Sequence, residues 1–229
     1  MPGMNFLSSD LVSTSYAVAT VAMLASAALI LLGMTWTSDR WRLPVALVGV
    51  ALLASGLVYV AAAETWATSA KVSAASRYVG WFIVQPLQVA SAYFFARISG
   101  KVPVGVFWRT IVAALLMVLC RFLGDARIFD PTLGVLLSIA FWLYILGELY
   151  FGAMSTAVQN VSRPIRLGYF WIRLIMTIGW AALPILHFVD VVIGAGHTPA
   201  IVVLYNIADV VNLLTPSLIT LAVAGIERY

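Results

Sequence analysis

Seven long apolar runs joined by short polar connections limit this chain to very few folds: approximately 15–36, 43–66, 77–98, 102–126, 131–154, 169–192 and 198–226. A hydrocarbon core of about 30 Å is crossed by roughly 20 helical residues, and each run is long enough to do so. Backbone polar groups in lipid are satisfied only within helices or closed barrels, and runs of this length are helical. The connections leave no room for a second domain, so residues 1–229 are expected to form a single all-α, seven-transmembrane-helix bundle. Composition agrees: with 63% hydrophobic residues, 10% charged residues and a mean hydropathy of +1.03, a water-soluble domain would expose large apolar patches.

The basic residues orient the bundle, because Lys and Arg accumulate in cytoplasmic loops. Arg40, Arg42, Arg97, Lys101, Arg109, Arg163, Arg166, Arg173 and Arg228 fall on one side of the seven runs, and Lys71, Arg77, Arg121 and Arg127 on the other. The excess places the N-terminus outside and the C-terminus in the cytoplasm. The net charge of +4 is therefore topological, and no nucleic-acid partner is expected, since a basic groove needs clustered cations with aromatics on a soluble face. The partner it implies is the lipid bilayer of a cell membrane, with a prokaryotic inner membrane as the expected location. Met1 to Asp10 carry no basic n-region, so the first helix is expected to insert without cleavage.

Enzymatic chemistry has no foothold in the sequence. Cys120 is the only cysteine, which excludes an intrachain disulfide and a cysteine-based metal cluster. His187 and His197 cannot make a metal site alone, and no glycine-rich phosphate loop, serine nucleophile elbow or HExxH motif is present.

Two segments carry a recognisable pattern. The third run begins Arg77-Tyr78-Val79-Gly80-Trp81-Phe82-Ile83-Val84-Gln85-Pro86-Leu87-Gln88-Val89-Ala90-Ser91, and the last contains Tyr205-Asn206-Ile207-Ala208-Asp209-Val210-Val211-Asn212-Leu213. The first resembles the proton-pump pattern RYxDWxxTxPLLxxxE and the second the pattern YNLADFVNK of the last proteorhodopsin helix. Phe141-Trp142-Leu143-Tyr144-Ile145-Leu146-Gly147-Glu148-Leu149 and Gly179-Trp180-Ala181-Ala182-Leu183-Pro184 resemble the fifth and sixth helices. The chain thus resembles the microbial rhodopsins, and among them the proteorhodopsins, from the second helix through the seventh.

The resemblance implies a retinal pocket and also implies its loss. Leu213 stands where that family has the Schiff-base lysine, Gly80 where it has the counterion aspartate, Val84 where a threonine bonds that aspartate, and Ser91 where a carboxylic proton donor sits. Gly80, Val84 and Ser91 follow Arg77 by three, seven and fourteen residues, so one helical face has lost its titrating groups. The only lysines, Lys71 and Lys101, lie in loops and cannot supply a dry Schiff base. By the same resemblance Trp81 and Trp180 would sandwich a polyene and Gln88 holds the spectral-tuning position. Leu183 replaces a usual pocket tyrosine, and Val58 a histidine that pairs with the counterion. Trp142, Pro184 and His187 complete the candidate pocket, with His187 read as a wall residue rather than a pH switch.

Arg77 and Asp209 remain as a retained charge pair, read as a clamp between the third and seventh helices ahead of a relic ion path, with Tyr78, Asn206 and Asn212 close enough in sequence to help. Glu148 reads as a partnered or protonated structural carboxyl ahead of a gate. Gly147, Gly152 and Ala153, and Ala25, Ser26, Ala27 and Ala28, offer small-residue helix contacts that suit oligomers. The family resemblance implies a trimer or pentamer, or else a subunit of a larger membrane complex. The leading expectation is a bundle without covalent retinal and without light-driven proton pumping, kept as a membrane scaffold or interaction subunit. The alternative is noncovalent binding or delivery of retinal, a carotenoid or another isoprenoid. A passive ion or solute pathway is weaker, because its lining would have to be polar.

Overall fold

Residues 3–69, 74–191 and 198–227 are described by a computed structural model of the chain, with side chains described at 11–69, 77–98, 100–182, 184–186 and 198–227. The helices are α1 (Gly3–Gly33), α2 (Asp39–Ser69), α3 (Ala74–Ser99), α4 (Val104–Asp125), α5 (Pro131–Phe151), the short α6 (Ala153–Ala157), α7 (Arg163–Val191) and α8 (Pro199–Ile226). Seven of them, all but α6, are long and apolar enough to cross a bilayer. The molecule is a multi-pass integral membrane protein.

Helix ends depart from the apolar runs for a physical reason: hydropathy marks the length in hydrocarbon, whereas backbone hydrogen bonding continues into water. α1 starts at Gly3 rather than near 15, through the polar stretch Ser8, Ser9 and Asp10, and closes in a 3₁₀ turn at Met34–Trp36. α7 starts at Arg163 rather than 169, with Pro164 in its first turn, where its missing N–H costs no helix bond. α5 starts on an Asp130 cap whose carboxylate accepts from the Leu133 N–H at 3.0 Å, and it stops at Gly152, whose extended backbone turns the chain into α6.

α4 and α5 form a close antiparallel pair joined by a turn in which Arg127 adopts φ 59°. A Cβ on Gly134 would lie 2.7 Å from the Cys120 carbonyl oxygen and 2.8 Å from the Gly124 Cα, so glycine permits backbone contact there. α1 and α2 approach through Gly49 and Gly56, which lie against Leu31 and Leu24. Of the small residues read as helix contacts, Ala27 is buried and Gly152 sits under the Glu148 side chain, but Gly147 meets nothing within 4 Å. Its helix is long and apolar without needing that face inside the bundle.

Pro44, Pro86, Pro184 and Pro216 lie within helices. The core is aromatic and aliphatic, with Trp41, Tyr93, Phe95, Tyr169, Leu52 and Ile145 almost fully enclosed, while leucine, valine and isoleucine side chains cover the lipid-facing exterior. At one end, Glu227 accepts from the Ser162 hydroxyl at 2.5 Å and lies 3.6 Å from Arg40, joining the starts of α2 and α7 to the end of α8.

Candidate functional site

α8 supplies the polar centre of the bundle because Tyr205, Asn206, Asp209, Asn212 and Leu213 repeat at three- and four-residue intervals and turn one stripe inward. α3 presents Arg77, Gly80, Trp81, Val84, Gln85 and Gln88 across from it. With Ser55 and Tyr59 of α2, Tyr16 of α1 and Trp180 of α7, they surround a cavity of about 40 Å³. A water needs about 10–15 Å³ on this measure, so the space suits a few waters.

Arg77 and Asp209 both face this cavity, but the clamp is indirect. Among the described residues the ion pairs are Arg40–Glu227, Arg42–Asp39, Arg109–Glu148 and Arg121–Asp125. Asp209 instead accepts from the Tyr59 hydroxyl at 2.8 Å and the Trp81 indole N–H at 3.4 Å. The Arg77 guanidinium lies over the Tyr205 ring, 4.3 Å from its centre. A ring face and two neutral donors thus do the work expected of a guanidinium–carboxylate contact.

Two of the three expected helpers direct their hydrogen bonds to other partners. Tyr78 donates to Asp125, and Asp125 also takes the Arg121 Nε at 3.3 Å. Asn212 donates to the Gly179 carbonyl at 2.9 Å while its own carbonyl accepts from Gln88 at 2.7 Å, linking α3, α7 and α8. A Cβ on Gly179 would overlap the Asn212 side-chain oxygen, which explains the glycine before Trp180. Asn206 stays near the centre, donating to Ser15 at 2.9 Å and lying 3.4 Å from the Tyr59 hydroxyl.

Leu213 is 4% exposed and forms part of the cavity wall with Trp180. Gly80 faces Val58: a Cβ there would sit 3.4 Å from a Val58 methyl, in ordinary contact. Val84 is buried, and Ser91 donates to the Pro44 carbonyl at 3.0 Å, an interhelical bond to α2. The stripe from Gly80 through Val84 to Ser91 therefore packs against its neighbours.

A second cavity of about 40 Å³ continues toward α4 and α5, lined by Met117, Arg121, Ser138, Trp142 and Pro184, and it shares Trp81, Gln85 and Trp180 with the first. Trp142 donates to the Met176 carbonyl at 3.1 Å. The two cavities are thus neighbours that meet at Trp81, Gln85 and Trp180, with Leu213 in the lining of one and Pro184 in that of the other. The side-chain oxygens of Gln85 and Asn212 are buried without a hydrogen-bond partner. Leu183 and His187 fall outside the described side chains. Glu148 is partnered as expected, by Arg109 at 2.5 Å.

Sequence reasoning passed over Tyr59, Gln85 and the Tyr78–Asp125–Arg121 group. Tyr59 belongs to an almost uniformly apolar helix with no motif around it. Arg121 and Asp125 are separated by four residues, one helical turn, and that spacing was the available signal.

Comparison with known proteins places the fold and the lineage. The bacteriorhodopsin-like protein family model matches residues 10–225. The blue-light absorbing proteorhodopsin of Gamma-proteobacterium Hot 75m4 is 26% identical over 218 residues, covering 94% of this chain and 87% of that one. The crystal structure of blue light-absorbing proteorhodopsin from Med12 superposes with a TM-score of 0.79 at 26% identity, over 93% of this chain and 97% of the other. Thermophilic rhodopsin shares the fold with a TM-score of 0.86 at 20% identity, over 97% and 96%. A seven-helix bundle with this polar centre, matched along nearly its whole length, belongs to the bacteriorhodopsin-like family.

Proposed function

We propose that this protein is a non-photochemical member of its family, a seven-helix membrane scaffold or interaction subunit that holds no covalent retinal and pumps no protons. The observation that carries the reading is Leu213, buried in the wall of the cavity that Gly80 also lines, so that neither an amine at the one position nor a carboxylate at the other is available where the family resemblance calls for them. Lys101 is exposed in the loop before α4, outside the bundle interior. Hydrogen bonds from Gln88 to the Asn212 carbonyl and from Asn212 to the Gly179 carbonyl tie α3, α7 and α8 together beside the cavity, which supports a structural role for the polar centre.

The test is reconstitution with all-trans retinal. The expected outcome is no visible pigment, no hydroxylamine-sensitive band, no light-driven acidification by cells and no rise in thermal midpoint. A visible, hydroxylamine-sensitive pigment overturns the reading. Cross-linking in the native membrane followed by purification should recover the chain with itself or with another membrane protein.

A second reading, noncovalent binding of a retinoid, carotenoid or other isoprenoid, is favoured by one specific observation. The two cavities adjoin at Trp81, Gln85 and Trp180, and Gln85 and Asn212 in their linings leave buried side-chain oxygens unpartnered. A polyene in the organic extract of protein from its native membrane, bound one to one and displaced by Gln85→Leu, would favour this reading over the scaffold.

A further inference from the structure

Away from the interior cavities, the α6–α7 corner holds a recess of about 480 Å³ that no step above uses. Its lining includes Arg166 and Arg173 with Ser155, Gln159, Leu167 and Phe170, and it contains no carboxylate. The two arginines are seven residues apart, two helical turns, so they share a face, with Arg173 about 10 Å farther along the helix into the membrane. The recess lies at the end of the bundle that carries Glu227, which the Ser162 hydroxyl reaches just before α7 begins.

Among the described residues, the Arg173 guanidinium is held by aromatic rings within the span of α7. Its guanidinium lies 4.6 Å from the centre of Tyr150, 5.6 Å from Phe170 and 5.9 Å from Tyr169. Its Nε is buried without a hydrogen-bond acceptor. The surrounding polar groups are committed elsewhere: Tyr169 donates to the Leu149 carbonyl, Tyr150 shares a hydrogen bond with Thr177, and Glu148 is engaged by Arg109. Ionisable residues at membrane depth pair with something, and a cation that shares its recess with a second arginine, while the neighbouring acid Glu148 is engaged by Arg109, selects an anion from outside the chain.

We propose that this recess binds the phosphate headgroup of an anionic phospholipid, between Arg166 and Arg173, with its acyl chain along Leu167 and Phe170. The apolar side of the recess decides for a lipid over a free anion. Leu167 is 45% exposed and Phe170 40% exposed, so both present carbon to the bilayer directly beside the cations. Serine and glutamine at its polar side are neutral donors suited to phosphate and glycerol oxygens. This site is independent of the interior cavity and of the scaffold reading.

The experiment uses the full chain in nanodiscs of phosphatidylcholine, with and without phosphatidylglycerol, read by native mass spectrometry of retained lipid and by thermal midpoint. The wild type should retain one phosphatidylglycerol preferentially and melt higher when it is present. Arg166→Gln and Arg173→Gln should each weaken that retention about fivefold, the effect of removing one cation from an anionic lipid site. Arg166 is exposed and makes no ring contact, so its variant separates lost binding from lost folding. Equal retention of the two lipids, or retention unchanged in both variants, overturns the proposal. So does inorganic phosphate in detergent raising the midpoint as much as phosphatidylglycerol, which would make the ligand a free anion.

Discussion

Asp209 owes its place to Tyr59 and Trp81, whose donors lie at 2.8 and 3.4 Å, rather than to a guanidinium in contact. Hydrogen bonds to a charged group contribute about 1.5–3 kcal/mol each, and a buried acceptor left short of donors costs a similar amount. Tyr59→Phe and Asp209→Asn should therefore each lower stability by about 1–3 kcal/mol in detergent. Their double variant should show a coupling of about 0.5–3 kcal/mol. The cycle between Arg77→Gln and Asp209→Asn should lie closer to additive, because the guanidinium lies over the Tyr205 ring rather than in an ion pair with the carboxylate; a larger coupling there than at Tyr59 would restore the direct clamp. Leu213 and Gly80 support a second residue-level expectation. Leu213→Lys gives retinal an amine, and adding Gly80→Asp places a carboxylate beside it without a clash at Cβ, since the nearest Val58 methyl is 3.4 Å away. The Schiff-base pKa should be higher in the double variant, because a nearby negative charge favours the protonated form. Spectral pH titration of the two proteins checks this, and equal values would refute the counterion argument.

Helix packing turns on which glycines meet backbone. Gly134 lies against the backbone of Cys120 and Gly124, so Gly134→Ala must part α4 from α5 and should cost about 1–3 kcal/mol, as overpacking does. Gly147 meets nothing within 4 Å, and Gly147→Ala should be neutral or stabilise by up to about 1 kcal/mol through helix propensity. Thermal unfolding of both variants decides it, and a loss at Gly147 would reveal a partner on that face. Both glycines sit in apolar helical sequence and look alike there. The seven spans were legible because each is a local property of some twenty residues, whereas the contact of Gly134 with Gly124 depends on how one helix is set against another.

The whole bundle carries a directional expectation from its basic residues. In a Cys120→Ala background, a cysteine at Gln159 should react with impermeant maleimide only after the membrane is opened from the cytoplasmic side, and one at Arg127 should react in intact cells. The reverse pattern would invert the topology. The sequence by itself determined the membrane class, the number of spans and the family likeness, because hydropathy and the segments around Arg77 and Asp209 are written in consecutive residues. It also placed Leu213, Gly80, Val84 and Ser91 on the inward stripe, since helical periodicity is enough for that. Only the tertiary structure decided which partners those residues meet. Tyr59 for Asp209, Tyr205 for Arg77, Asp125 for Tyr78 and Gly179 for Asn212 all come from other helices, and their selection depends on the rotation and depth of each helix against its neighbours. Those two quantities are set by packing across the whole bundle, which no local pattern encodes.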